Sequence, residues 1–102
     1  MPKAYWIARM DVRDPDEYAK YVAGTKAAFA KYKAHFLVRG GEFESLEGQE
    51  RTRNVVIEFP DRETALACYN SPEYQAAKAF RAAASAGELL IVDGYDGPQP
   101  GE

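Results

Sequence analysis

Apolar and polar residues alternate between positions 4 and 12, and this two-residue period is typical of a β-strand. The alternation divides the strand into two faces, Tyr5, Ile7 and Arg9 on one and Ala4, Trp6, Ala8 and Met10 on the other. A helical period follows, from Asp14 to about Lys33, with one stripe rich in tyrosine: Tyr18, Tyr21, Val22, Thr25, Phe29 and Tyr32. A capping aspartate at position 14, followed by Pro15 and Glu17, predicts where this helix begins.

Two strands and a polar turn are predicted next. The second strand covers His35 to Arg39, is interrupted at Gly40-Gly41, and resumes from Glu42 to Leu46. Paired glycines inside a strand usually mark a bulge or a close backbone approach. A polar turn at residues 47–51 then leads into the third strand, Asn54 to Phe59.

The remaining pattern predicts a helix in two pieces and a last strand. An aspartate is placed to cap a short helix from Arg62 to about Tyr69, and Ser71-Pro72 starts a second helix that continues to about Ala84. Gly87 is expected to end that helix, and the last strand covers Glu88 to Asp93.

The predicted order is β-α-β-β-α-β, which is the α+β ferredoxin-like arrangement of two crossovers around a central hairpin. It gives a four-stranded antiparallel sheet with the helices on one face. The other face would carry residues such as Trp6, Ala8 and Met10, or Leu90 and Val92, which are too apolar to stay in water. We therefore expect a second copy of the chain to pack sheet against sheet, so that the partner of the chain is itself, in a homodimer.

Length and charge narrow the possible functions. The chain of 102 residues fits one domain, which we assign to residues 1–95, with residues 96–102 as a flexible tail. The formal net charge of −3 gives no basic surface for nucleic acid. No segment approaches the roughly 20 apolar residues that a membrane span requires, so we expect no membrane partner. A single cysteine, Cys68, permits no intrachain disulfide, and a cytoplasmic location is expected.

Several short motifs occur together in an order that is similar to one known family. They are Arg39-Gly40-Gly41, Glu58-Phe59-Pro60, Ala65, Tyr69, Ser71-Pro72-Glu73-Tyr74 and Arg81, and the match spans roughly residues 4 to 95. The chain resembles the family catalogued as domain of unknown function 1330 (DUF1330), in the dimeric α+β-barrel superfamily. This resemblance implies a ferredoxin-like protomer whose sheets pair into a barrel with a pocket near the sheet, and it implies no established reaction. The family tends to have glycine where this chain has Ala34-His35, so any role of His35 would be particular to this protein.

Arg39 and Glu58 are the candidate catalytic residues. Folding the central hairpin would bring them close together on neighbouring strands. In a pocket, Arg39 could bind a carboxylate or phosphate while Glu58 orients the ligand or moves a proton. Alternatively, the two residues form a structural ion pair that fixes strand register or the dimer interface.

Further candidate ligand-binding residues are Gly40, Gly41, Tyr69, Tyr74 and Arg81. The glycines could present backbone N–H groups to an anion, or they could form only a bulge. The two tyrosines and Arg81 could form a pocket wall with an anion contact, or they could pack in the core with polar tips at the surface.

No metal site and no cofactor are predicted. His35 is the only histidine and Cys68 the only cysteine, and their separation gives no spacing for metal ligands. We expect His35 to be an exposed residue at the start of a strand and Cys68 to be an inert helix thiol.

Three functions stay open at this point. The protein could be a cofactor-independent enzyme acting on an acidic or aromatic metabolite, a ligand-sensing module without chemistry, or a structural protein that associates only with itself. We favour a homodimeric barrel that binds a small acidic or aromatic molecule, and the sequence leaves catalysis open.

Overall fold

The computed structural model describes residues 2–102, and these residues form four β-strands and three α-helices. In chain order the elements are β1 (Ala4–Val12), α1 (Pro15–Lys31), β2 (His35–Arg39), β3 (Arg53–Phe59), α2 (Arg62–Asn70), α3 (Pro72–Ala84) and β4 (Ser85–Asp93). The strands form one antiparallel sheet in the order β2-β3-β1-β4. This arrangement confirms the predicted ferredoxin-like fold class, with the second helix in two pieces.

Each helix begins where its capping residue predicts. The side chain of Asp14 accepts a hydrogen bond from the backbone N–H of Glu17 at 3.2 Å. Asp61 and Ser71 accept the equivalent bonds at the starts of α2 and α3, at 2.7 and 3.2 Å. These bonds satisfy N–H groups that have no partner within the first turn of a helix, so the local sequence alone fixes the three starting points.

Trp6 is the centre of the core. It is 1% exposed, and its ring centroid lies 4.9 to 5.7 Å from those of four other rings: Phe29, Phe59, Tyr69 and Tyr74. These rings belong to α1, β3, α2 and α3, so a single side chain joins the sheet to all three described helices. The prediction that Trp6, Ala8 and Met10 form the open face is therefore wrong. A two-residue period separates the faces of a strand but does not say which face the helices cover.

The open face of the sheet carries the other set of alternating residues. Ile7 lies between Val56 and Leu90 in the register, and Val92 lies beside Tyr5. Leu90 is 51% exposed and Val92 is 44% exposed, which confirms the prediction for these two residues. An apolar strip therefore crosses the face of the sheet that the helices leave uncovered.

Ion pairs stand at both ends of this apolar strip. At one end, Nζ of Lys3 lies 2.7 Å from Oε1 of Glu58. At the other end, the guanidinium of Arg51 binds Asp11 at 2.8 Å and Glu88 at 2.5 Å. The charged groups of the open face are thus largely paired with one another.

The edge strand β2 contains a bulge at Leu37. The register pairs Phe36 with Ile57 and Val38 with Val56, so that Leu37 is the additional residue. The sequence predicts the irregularity three residues later, at the paired glycines Gly40-Gly41, and a continuation of the strand to Leu46. Instead, residues 40–52 form a loop without regular secondary structure.

The last strand begins earlier than predicted. β4 starts at Ser85, directly after α3, and Gly87 lies inside the strand opposite Met10 instead of ending the helix. A Cβ atom at Gly87 would collide with the carbonyl oxygen of Arg9 and would lie 2.8 Å from the Cα of Met10. Glycine at this position therefore permits the close approach of β1 and β4.

Beyond β4, the N–H of Gly94 donates to the carbonyl oxygen of Lys3 at 2.7 Å, and the hydroxyl of Tyr95 donates to the carbonyl oxygen of Pro98 at 2.8 Å. None of the helices formed by residues 2–102 combines the length and the apolar character that crossing a membrane requires.

The substitution Gly87→Ala should lower the free energy of unfolding by about 2–3 kcal/mol, because the added methyl group would force β1 and β4 apart. Gly41→Ala is the matched control, since a Cβ at Gly41 meets none of the described atoms within 4 Å. Urea denaturation followed by circular dichroism would measure both variants. Equal stability of the two would contradict this account of Gly87.

Candidate ligand-binding site

A cavity lies between the helix-facing side of the sheet and helix α1. It is lined by apolar and aromatic side chains together with three arginines: Trp6, Ala8, Met10, Tyr18, Tyr21, Val22, Thr25, Phe29, Phe36, Arg39, Arg53, Val55, Ile57 and Arg81. The cavity has a volume of about 30 Å³. The empty cavity is narrow, so an organic ligand would have to displace a side chain on entering.

The cavity exists because large and small side chains alternate along β1. Trp6 and Met10 fill the layer between sheet and helices, whereas Ala8 between them contributes only a methyl group. In addition, α1 packs mainly against α3 while β2 packs mainly against β3, which leaves a gap between α1 and β2. A groove in that gap adjoins the cavity, because the two share Val22, Thr25, Phe29, Phe36 and Arg39.

Arg53 enters the cavity from the start of β3. It belongs to the same alternating set as Val55 and Ile57, whose side chains are buried under the helices. Its Cζ lies 5.5 Å from the centroid of the Tyr18 ring. Its Nε is buried and has no hydrogen-bond partner among the described residues. A buried guanidinium nitrogen without a partner is a donor that a ligand could satisfy.

Gly40 leaves room for the guanidinium of Arg53. Its φ angle is +68°, and its N–H donates to the carbonyl oxygen of Asn54 at 2.9 Å. A Cβ at Gly40 would lie 2.7 Å from Nη1 of Arg53 and 3.5 Å from its Cζ. Any larger residue at position 40 would therefore have to move the guanidinium as well as adopt a backbone conformation that favours glycine.

Arg81 enters the cavity from helix α3. Its Cζ lies 5.6 Å from the centroid of the Tyr21 ring, and its Nη1 lies 3.8 Å from the sulfur of Met10. The Nε of Arg81, like that of Arg53, is buried without a hydrogen-bond partner in the described part of the chain. Two guanidinium groups from different elements thus approach the same cavity with an unused donor each.

Arg39 lies at the mouth of the cavity. Its register partner is Val55, on the helix-facing side of the sheet, because the bulge at Leu37 reverses the direction of the residues that follow it. Its Cζ lies 4.3 Å from the centroid of the Phe36 ring, and the side chain is exposed. Lys26 of α1 lines the same groove, so the entrance carries positive charge from both the helix and the strand.

The cavity has positive charge without a matching negative charge. Its fourteen lining residues include three arginines and no aspartate or glutamate. Within residues 2–102 the salt bridges are made by other cations, namely Lys3, Arg9, Lys20, Lys31, Arg51 and Arg62. Guanidinium groups removed from water without a carboxylate cost free energy unless another anion compensates them. The arrangement is therefore suited to bind an anion that carries an apolar group.

Two tyrosine hydroxyls meet behind the cavity wall. The hydroxyl oxygens of Tyr21 and Tyr74 are 2.9 Å apart and share a hydrogen bond. Burial raises the pKa of both phenols above the ordinary value of 10.0, so both are neutral at physiological pH. Neutral phenols form hydrogen bonds but do not abstract protons at that pH. The cavity can therefore stabilise negative charge, and its lining residues supply no evident general base.

Glu58 does not reach the cavity. It lies on the open face of the sheet, opposite His35 in the register, and accepts a hydrogen bond of 2.7 Å from Lys3. This bond from Lys3 holds the pKa of Glu58 below its ordinary value. Because the bulge at Leu37 turns Arg39 to the helix-facing side, the predicted contact between Arg39 and Glu58 is wrong. The predicted catalytic roles require Arg39 and Glu58 to face the same pocket, and the two side chains lie on opposite faces of the sheet.

The other predicted site residues are divided among cavity, core and loop. Arg81 lines the cavity. Tyr74 is fully buried and reaches the cavity only through Tyr21, while the half-buried Tyr69 packs beside Trp6. The sequence left open an anion contact from the N–H of Gly40, and the structure contradicts it, because that N–H already donates to the carbonyl oxygen of Asn54.

Two further residues are placed away from the cavity. Gly41 lies in the exposed loop after β2, with none of the described atoms near the position of its missing Cβ. Cys68 is buried in α2, and burial raises the pKa of its thiol to about 12, which keeps it protonated. Residues 2–102 contain no group of three or more His, Cys, Asp or Glu side chains that could hold a metal ion.

Sequence reasoning misses Arg53, because it begins the third strand at Asn54. Extending the alternation of Val55, Ile57 and Phe59 back by two residues places Arg53 on the buried face of the strand. Arginine is rarely buried without a partner, so that position is a signal for a site. Tyr18 and Tyr21 are correctly assigned to the apolar stripe of α1, but periodicity gives no sign that this stripe also lines a cavity.

The solved structures that share this fold include those of the following three proteins. A protein of unknown function from Rhodopseudomonas palustris matches with a TM-score of 0.79 and 15% identity, over 94% of this chain and 85% of that one. SnoaB, a cofactor-independent oxygenase from Streptomyces nogalater, matches with a TM-score of 0.61 and 16% identity, over 100% of both chains. A dimeric protein of unknown function with a ferredoxin-like fold from Bacteroides fragilis matches with a TM-score of 0.54 and 16% identity, over 89% of this chain and 95% of that one. At these identities the likeness concerns the fold alone.

Among curated proteins, no sequence relative of this chain was found. A family model described as a domain of unknown function (DUF1330) matches residues 3–95. The matched segment includes every element of the fold and the three arginines of the cavity. The chain therefore belongs to the DUF1330 family of domains of unknown function.

Proposed function

We propose that this protein binds a small organic anion with an aromatic or other apolar body, held in the cavity between the sheet and α1, and that it does so as a homodimer. The observation that carries the proposal is the convergence of Arg39, Arg53 and Arg81 on one apolar cavity whose lining has no carboxylate. An anion would compensate the guanidinium groups, and an apolar body would contact the aromatic side chains of the lining.

The positions of the three arginines support a division of roles. Arg53 and Arg81 are half-buried and each has an unpartnered Nε, so they would bind the anionic group inside the cavity. Arg39 is exposed and stacks on Phe36 at the mouth. Movement of the Arg39 side chain would widen the narrow entrance, and the positive charges of Arg39 and Lys26 would attract an anion towards it.

The chemistry of the lining supports anion binding as the primary activity of the protein. Guanidinium groups and neutral phenols stabilise negative charge on a bound molecule, including charge that develops during a reaction. An enzyme of this fold that needs no cofactor, such as SnoaB, offers an analogy for a catalytic use of the site. The proposal assigns no acid–base role to Glu58, because that residue lies on the opposite face of the sheet.

The apolar strip on the open face supports the homodimer. Ile7, Val56, Leu90 and Val92 are adjacent across three strands, and no helix of the described chain covers them. Pairing two such faces would remove the strip from water, and small domains gain stability from that burial. The fold is also shared with a protein that is dimeric.

Small carboxylates should bind more tightly than their neutral amides, because only the carboxylate can accept charge-assisted hydrogen bonds from the arginines. We expect the affinity of a carboxylate such as benzoate to exceed that of benzamide by about tenfold or more. Isothermal titration calorimetry with a panel of aromatic and aliphatic carboxylates, each beside its amide, would measure the difference. If no carboxylate in the panel binds better than its amide, and phenyl phosphate does not bind either, the proposal is wrong.

The matched variants for this test are Arg53→Gln and Arg62→Gln. Both remove one positive charge, but Arg62 lies on the exposed surface of α2, 3.5 Å from Asp93 and away from the cavity. Arg53→Gln should lower carboxylate affinity by about tenfold, while Arg62→Gln should leave it unchanged. Equal losses in the two variants would mean that the effect comes from net charge and not from the cavity.

Gly40→Ala should weaken carboxylate binding, because the new methyl group would displace the guanidinium of Arg53. Gly48→Ala is the control, since Gly48 has a similar φ of +84° but no described atom within 4 Å of its missing Cβ. Both variants carry the same type of backbone strain, so only the steric effect on Arg53 differs. Calorimetric titration with the tightest carboxylate of the panel should give a severalfold loss for Gly40→Ala alone. Identical affinities would exclude a role of Gly40 in positioning Arg53.

Leu90→Lys should weaken the homodimer at least tenfold, because it buries a charge within the proposed interface. Phe80→Lys is the control: Phe80 is 40% exposed on helix α3, against 51% for Leu90 on the open face. Analytical ultracentrifugation would measure the dissociation constants. A monomeric parent protein, or a dimer that both variants leave intact, would contradict the proposed interface.

A further inference from the structure

We infer that the anionic group of the ligand carries two negative charges close together, as in a phosphate monoester or a 1,2-dicarboxylate on an apolar ring. This inference rests on the proposed function and specifies the chemical class of the ligand that the same cavity binds. It comes from the number and the placement of the arginines whose Nε has no hydrogen-bond partner among the described residues.

Two of the three guanidinium groups require compensation inside the cavity. Arg39 is exposed at the mouth, where water solvates it. Arg53 and Arg81 are half-buried, and each has a buried Nε without a partner among the described residues. A ligand with one negative charge would compensate only one of them and would leave the other as an unpaired charge in an apolar environment.

The two inner arginines also lie at the same end of the cavity. Arg53 is the register partner of Met10, and Nη1 of Arg81 lies 3.8 Å from the sulfur of that same methionine. Their guanidinium groups lie over the rings of Tyr18 and Tyr21, whose centroids are 5.3 Å apart. Two negative charges near each other, on one end of the ligand, would therefore satisfy both guanidinium groups.

The opposite end of the cavity is suited to the apolar part of such a ligand. Trp6, Phe29, Phe36 and Ile57 line it with aromatic and aliphatic surface. A ring placed against these side chains would direct its dianionic group towards Arg53 and Arg81. Planar guanidinium groups match both phosphate and carboxylate oxygens through paired N–H donors, so the shared chemistry of the two groups is what the site recognises.

The test compares benzoate, phthalate and phenyl phosphate by calorimetric titration at pH 8, where the phosphate monoester is dianionic. We expect phthalate or phenyl phosphate, or both, to bind at least tenfold more tightly than benzoate. The difference between these two dianions identifies which group the site prefers. For phenyl phosphate, affinity should also fall as the pH is lowered from 8 to 5, because the monoester takes up a proton with a pKa of about 6, whereas benzoate affinity should stay nearly constant.

Variants test the origin of the preference. Arg81→Gln should reduce the advantage of the dianion over benzoate to less than threefold, and Arg62→Gln should preserve it. If carboxylates bind better than their amides but neither dianion exceeds benzoate, this inference is wrong and the proposed function stands. If neither carboxylates nor phosphates bind, both fail. An advantage that persists in Arg81→Gln would also overturn the assignment of the second charge to Arg81.

Discussion

The burial of Trp6 in the middle of β1 is the contact on which the rest of the structure depends. Its ring touches aromatic rings from β3 and from all three described helices, so it sets the distance between the sheet and the helical layer. Two residues further along the same face, Ala8 is too small to fill a space of that depth. The cavity is therefore a direct result of a large side chain followed by a small one on the buried face of a central strand.

The bulge at Leu37 determines which charged residues share this space. Without the additional residue, Arg39 would follow the alternation of His35 and point to the open face. With it, Arg39 turns to the mouth of the cavity, where Phe36 supports the guanidinium. One inserted residue in an edge strand thus separates Arg39 from Glu58 and groups it with Arg53 and Arg81.

Much of the fold could be predicted from the sequence, because the residues that start each helix and form each strand are close together along the chain. The caps at Asp14, Asp61 and Ser71 and the alternation of β1 depend on neighbouring residues, and these predictions are confirmed. The faces of the sheet and the site are decided by tertiary contacts. Alternation in β1 cannot reveal which side of the sheet the helices cover. The bulge is predicted at the paired glycines Gly40-Gly41, because glycine is the usual signal for one, whereas the structure has it at Leu37.

The candidate site was only partly accessible to sequence reasoning. Arg39 and Arg81 could be singled out because both belong to the motifs that resemble the family, and both line the cavity. Arg53 could not be placed without the correct start of β3, and the function of Gly40 depends on the position of the Arg53 side chain. Steric relations between residues on different strands are determined by register, and register is not encoded in any single segment.

Among the described residues, the arginine and lysine side chains are paired with carboxylates on the open face of the sheet but not on its helix-facing side. This contrast is the strongest reason to propose a ligand for the cavity. On the open face, Lys3 and Arg51 bind carboxylates directly. On the helix-facing side, Arg53 and Arg81 have aromatic neighbours instead, and the Nε of each has no hydrogen-bond partner among residues 2–102. Aliphatic side chains at these two positions would fill the same layer without the cost of removing a charge from water. Stability alone therefore does not explain the two arginines, whereas an anion bound between them does.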